Sequence, residues 1–128
     1  MIRIADDPFP TPAALEALWL AAWGGSAGNY ASSVLPRSLC HVGAYSDERL
    51  VGFVNVAWDG GSHAFLLDAC VHPDFRRQGI ATRLVRRAVE LARERGAEWL
   101  HVDFEPHLTG FYRACGFRET AAGLIRLK

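Results

Sequence analysis

Three apolar runs, residues 39–45, 50–58 and 64–71, are separated only by two short turn clusters, Ser46-Asp47-Glu48-Arg49 and Asp59-Gly60-Gly61-Ser62. Connections this short join antiparallel strands, because a parallel crossover needs about a dozen residues or more. After Val71 the pattern changes. A polar, turn-like stretch, 72–79, leads into a segment where Ile80, Leu84, Ala88, Leu91 and Ala92 recur at helical spacing. Arginines and glutamates lie off that stripe, and Gly96 stops it. Residues 99–104 read as a further strand, 108–115 as a short helix, and Phe117 onward as terminal strand material. Upstream, Thr11 is placed to cap a helix, Pro12 suits its first turn, and Gly24-Gly25 ends it. Residues 30–34 read as a short helix or a loop. The coarse order is β-α-β-β-β-α-β-α-β, an α/β (α+β) chain with a mixed central sheet flanked by helices. The third run is nearly continuous in apolar residues, which predicts a strand covered on both faces.

Composition narrows the function classes. The chain has 128 residues, half of them apolar, and 14 basic against 14 acidic groups. One domain over 1–128 is expected at this length. Zero formal charge gives no global attraction to nucleic acid or to an acidic membrane. No apolar stretch approaches the roughly 20 residues of a membrane span. The first residues lack a basic-then-apolar signal layout, and the three cysteines, Cys40, Cys70 and Cys115, show no metal spacing. A reduced, cytoplasmic setting is expected. Thirteen of the 14 basic residues are arginine.

Chemistry concentrates in the strand–turn–helix of residues 66–95. The turn carries Arg76, Arg77, Gln78 and Gly79 directly before a helix. A helix start presents unpaired N–H groups and about half a positive charge, and forked arginine donors add to it. Gly79 and Ala81 are small enough to admit a bulky anion. The expectation is a diphosphate seat. Neither a Gly-x-x-x-x-Gly-Lys-Ser/Thr loop nor a Gly-x-Gly-x-x-Gly turn after the first strand is present. Asp68 is a second signal, because it interrupts an apolar run; such a carboxylate is either paired or functional.

The segment Val71-His72-Pro73-Asp74-Phe75-Arg76-Arg77-Gln78-Gly79-Ile80-Ala81 resembles the acetyl-CoA signature of the GNAT N-acetyltransferase superfamily. Phe111-Tyr112-Arg113-Ala114-Cys115-Gly116-Phe117 resembles that family's Phe-Tyr-x-x-x-Gly-Phe. The resemblance covers residues 39–120 well and the N-terminal part loosely. It implies a GNAT fold of six or seven strands, splayed at the acetyl-CoA site. It implies acetyl-CoA as cosubstrate, with Gln78, Gly79, Ile80, Ala81 and Thr82 at its diphosphate beside Arg76 and Arg77. Residues 67–71 run along the pantetheine arm, and the N–H of Cys70 or Val71 faces the thioester, with His72 next in line. Tyr112 becomes the acid for the leaving thiolate, since a phenol is protonated at neutral pH.

The attacking amine must lose a proton, and Asp68, Asp103 and Glu105 are the carboxylates available for it. Glu105 stands where many family members carry an asparagine toward the pantetheine arm, and an acceptor-only carboxylate cannot copy an amide. Trp23, Asn29 and Tyr30 are candidate walls of the acceptor pocket, because the first helix and following loop commonly line it in this fold. The expected partners are acetyl-CoA and an amine, on a small molecule or a protein N-terminus, with a homodimer as a further option. Direct transfer is expected over a Cys70-linked intermediate, since free cysteines are usually inert and buried. His41, His63, His101 and His107 lack ligand spacing, so no metal is expected. The rival reading is a non-catalytic acyl-CoA-binding module on the same fold.

Overall fold

The computed structural model describes residues 1–128. Its elements are β1 (Ile2–Asp6), α1 (Pro12–Trp23), α2 (Tyr30–Ser33), β2 (Cys40–Ser46), β3 (Arg49–Trp58), β4 (His63–Val71), α3 (Ile80–Glu94), β5 (Trp99–Val102) and α4 (Thr109–Ala114). Single 3-10 turns lie at Leu35–Arg37, Pro73–Phe75 and Pro106–Leu108. The sheet order is β1-β2-β3-β4-β5. The first four strands are antiparallel, and β5 is parallel to β4.

Local chemistry accounts for the ends of the helices. Thr11 Oγ1 accepts from Ala14 N–H at 3.1 Å, and Gly24 closes α1 in the left-handed region, φ 75°. Helix α3 lies across one face of the sheet. Its Ile80, Leu84, Val85, Ala88, Leu91 and Ala92 pack on Val42, Val54, Val56, Ala64 and Leu66. Gly52 permits this approach: a Cβ there would stand 3.0 Å from Leu84 and 3.2 Å from Ile80 side-chain carbons. Arg87 fastens α3 to β1 by a two-pronged bond to Asp6, at 2.8 and 2.7 Å. On the other face α1 and α2 build a second core, Leu15, Leu18, Trp19, Tyr30, Leu35, Leu50, Phe53 and Cys70.

Three expectations are corrected. The sheet has five strands rather than six or seven. Residues 117–128 form no ladder, and from Arg118 onward every side chain is exposed. The first half of strand β4 is covered on one face only: Ala64 and Leu66 are buried under α3, while His63, Phe65 and Leu67 face solvent. The second core sits over β2, β3 and the Cys70 end of β4, and the first half of β4 lies beyond it.

Two irregularities in β4 shape the site. Phe53 pairs with Cys70 but Asn55 pairs with Leu67, so β4 carries one extra residue there. This is a β-bulge, and Asp68 occupies it at φ 57°. Further, the β4–β5 ladder stops at Leu66↔Val102, whereas β4 continues to Val71. Strand β5 ends at Val102, so the edge of β4 is left unpaired along 67–71.

Candidate active site

The unpaired edge borders a cleft of about 460 Å³ floored by the end of β4, the start of α3, and α4. Its lining is mainly apolar, with Arg76, Arg77, Thr82 and Tyr112 among the polar contributors. Backbone alternation decides which amide faces it. His72 N–H donates to Val51 O at 2.7 Å, toward β3. The neighbouring N–H, that of Val71, therefore turns away from β3 to the unpaired edge. Of the two amides the sequence left open, Val71 is the one so directed.

The N-terminus of α3 forms one end of the cleft. Gly79 is its cap residue at φ 74°, and no side chain caps it. The first backbone bond of the helix runs from Arg83 N–H to Gly79 O at 3.2 Å, so the N–H groups of Ile80, Ala81 and Thr82 have no backbone partner. Arg77 also lies in the left-handed region, φ 63°. Two left-handed residues so close in a turn turn successive N–H groups toward one concavity, the geometry of an anion nest. No carboxylate pairs with Arg76 or Arg77, and both line the cleft.

Tyr112 closes the opposite side. It is buried, stacked on Phe104 at 4.8 Å, with Phe111 and Phe117 edge-on. Burial pushes its hydroxyl above the ordinary tyrosine range. The group is a protonated donor at neutral pH. Cys70 also borders the cleft, but burial, and then the nearby Asp68 charge, push its thiol up to about 12. A thiol held protonated is no nucleophile.

Asp68 is not enclosed as the apolar run suggested. The bulge carries it to the surface, where Oδ2 accepts from Tyr30 Oη–H at 2.7 Å. Tyr30 sits in an aromatic nest of Trp19 and Phe53, and burial followed by the Asp68 bond pushes its own pKa upward. Beneath them lies Asn55, fully buried, whose Oδ1 accepts from Ser38 Oγ–H at 2.5 Å and whose Nδ2 has no partner. Sequence reasoning passed over Asn55 and Ser38. The available signal was a lone amide inside the apolar run Val54-Asn55-Val56. It also passed over Phe75, Leu108 and Phe111, apolar members of the cleft lining.

The other named residues separate into two groups. Trp23 lines the cleft, half exposed and edge-on to Trp19 at 4.9 Å. With Cys70, Val71, Arg76, Arg77, Gly79, Ile80, Ala81, Thr82 and Tyr112, it makes ten of the predicted residues that converge there. His72 instead meets Arg49 Nη2 at 2.8 Å. Gln78 is exposed between the lining residues Arg77 and Gly79, and Asn29 is exposed and outside the cleft. Asp103 and Glu105 are exposed past the end of β5, with no side-chain partner and outside the cleft. Glu105 contributes its backbone carbonyl to a turn, accepting from Leu108 N–H at 2.9 Å.

Comparison with known proteins agrees with this geometry. The sequence profile of the Acetyltransferase (GNAT) family matches residues 1–117. The chain belongs to that family. An uncharacterized N-acetyltransferase, ycf52, of Porphyra purpurea is 30% identical over 79 residues, 62% of this chain and 45% of the relative. The chain thus spans less than half the length of that relative. A GNAT family acetyltransferase of Streptococcus pneumoniae is 27% identical and superposes with a TM-score of 0.84, covering 100% of this chain and 98% of the other. The aminoglycoside N-acetyltransferase AAC(6')-Iy, solved in complex with CoA, shares the fold at a TM-score of 0.77 and 20% identity, covering 100% and 95%.

Proposed function

We propose that this chain transfers an acetyl group from acetyl-CoA to a primary amine by direct attack. The observation that carries the reading is one cleft bordered by three separate features. They are an uncapped helix start with unpaired arginines, a free strand amide at Val71, and the phenol of the buried residue Tyr112. Membership of the GNAT family and the fold shared with a CoA-bound acetyltransferase support the same cosubstrate.

Acetyl-CoA supplies an acyl group activated as a thioester. The residues present fit it: the α3 amides and Arg76 and Arg77 suit the diphosphate, and the apolar lining suits the arm. The exposed edge of β4 at Val71 holds a donor where charge develops on the carbonyl oxygen as the amine nitrogen attacks. Tyr112 holds the proton that the departing thiolate takes. Asp68, fixed by Tyr30 outside the cleft lining and next in sequence to Ala69 within it, is the carboxylate assigned to the amine. It attracts the ammonium form and takes its proton, directly or through water.

The test is thiol release over a panel of primary amines, with wild type and Tyr112→Phe. The proposal expects release with at least one amine and a loss of roughly a hundredfold in turnover in Tyr112→Phe, with acetyl-CoA binding retained. Binding without release on any amine would support the non-catalytic reading. Undiminished turnover in Tyr112→Phe would remove this residue as the acid.

A further inference from the structure

The sheet brings together two histidines that no sequence spacing joins. His63 opens β4, and His101 lies in β5, 38 residues on. The parallel register pairs His63 with Trp99 and Phe65 with His101. Both imidazoles therefore stand on the solvent-facing side of the sheet, on neighbouring strands. His63 Nδ1 and His101 Nε2 are 2.8 Å apart. Both residues are exposed, and their outer nitrogens, His63 Nε2 and His101 Nδ1, bond to no protein atom. The surroundings hold the pair in place. Phe65 stacks on the His101 ring at 4.8 Å, 19° from parallel. The His63 backbone N–H donates to Asp59 Oδ1 at 3.2 Å. Ser62 O accepts from Glu98 and Trp99 N–H at 2.9 and 3.0 Å, which fixes the start of β5 against the start of β4.

The spacing of the facing nitrogens is that of two ligands on one ion. A metal–imidazole bond is about 2.0–2.1 Å long, so adjacent ligands of a square or octahedral ion stand about 2.9 Å apart, and those of a tetrahedral ion about 3.3 Å. The observed 2.8 Å falls beside the first value. Imidazole nitrogen in a tetragonal arrangement suits Cu(II) and Ni(II), whereas Mg(II) and Ca(II) take oxygen ligands. No third His, Cys, Asp or Glu completes a metal-holding group with the pair. Water fills the remaining positions.

We infer that His63 and His101 form a chelate for one divalent late transition-metal ion, Cu(II) or Ni(II), on the solvent-facing side of the sheet. Ligation through the facing nitrogens needs a lone pair on each. In the free pair, one of these two nitrogens carries the proton that bridges them. On metal binding that proton moves to the outer nitrogen of the same ring, where water accepts its hydrogen bond. Both rings stay neutral, and no proton need leave the protein. The ion clips β4 to β5, which share four residue pairs. It binds the folded arrangement of the two strands and therefore stabilises it.

Calorimetric titration of nickel chloride into the full chain, free of any histidine tag and at neutral pH, tests this, together with thermal melts. His63→Ala and His101→Ala are the probes, and His107→Ala, at an exposed histidine outside the pair, is the control. The wild type and the control are expected to bind one Ni(II) per chain at micromolar concentration and to melt several degrees higher when saturated. Each probe variant is expected to lose at least the roughly tenfold in affinity that even an outer-shell partner is worth. Each is also expected to lose the rise in Tm, with unchanged circular dichroism. Magnesium chloride should give no saturable heat. Absence of saturable Ni(II) binding up to millimolar concentration would overturn the inference. So would Ni(II) binding that survives both substitutions. Zn(II) binding more tightly than Ni(II) would overturn the tetragonal geometry. None of these outcomes depends on the acetyl-transfer reading.

Discussion

Gly79 offers the sharpest separation of conformation from packing. Its φ is 74°, and a Cβ built there meets nothing within 4 Å. Gly79→Ala therefore adds no clash, and its cost is that of holding a residue with a Cβ in the left-handed region, about 1–2 kcal/mol. That energy has two ways to surface. If the variant keeps the turn, it loses the energy as stability, a fall in Tm of about 4–8 °C for a chain of this size. If the turn relaxes, the amides of Ile80, Ala81 and Thr82 lose their aim, and the same energy weakens acetyl-CoA binding by about five- to thirtyfold. Calorimetric Kd and thermal unfolding, measured together, see both. Gly79→Asn is the internal control, because asparagine enters this region more readily and should lose less on either scale. A Gly79→Ala protein unchanged in both Tm and Kd would refute the reasoning. So would Gly79→Asn losing as much as Gly79→Ala.

Two further outcomes follow from the same structure. Cys70→Ala should leave turnover at the wild-type level, since its thiol is held protonated up to about 12; loss of turnover with the fold intact would restore a thiol intermediate. His41 is fully buried, accepts from Phe9 N–H at 2.9 Å, and is held below the ordinary histidine pKa chiefly by burial, against the pull of Asp7. The unfolded chain then binds a proton that the folded chain refuses, so this contribution is complete above about pH 6.5 and is lost as pH falls below it. Thermal melts should show Tm declining through that range, at up to about 1.4 kcal/mol per pH unit, and His41→Gln should flatten the slope.

Much of the architecture was legible because the local signals were strong. Thr11 and Gly24 bracket α1 by cap chemistry, and the stripe from Ile80 to Ala92 placed α3. The cleft was legible because Arg76, Gly79, Ala81 and Tyr112 fall in two motifs in register. Where the reading missed, a nonlocal contact decided. Residues 117–128 have strand composition, but a strand needs a ladder, and this segment forms none with the free edge of β5. The run at β4 looked doubly buried, yet which helices reach Phe65 and Leu67 is a matter of topology. The bulge at Asp68 was invisible because it depends on the registers of Phe53 and Asn55 against β4. Asp103 and Glu105 share a strand period with His101, but β5 ends at Val102 before reaching the cleft.

The central claim is that the β4–α3 cleft seats the acetyl donor. Calorimetric titration with acetyl-CoA and CoA, using ATP as comparator, tests it most directly. The account predicts saturable one-to-one binding of both CoA species per chain and none of ATP. No heat with either CoA species at high micromolar concentration would contradict it.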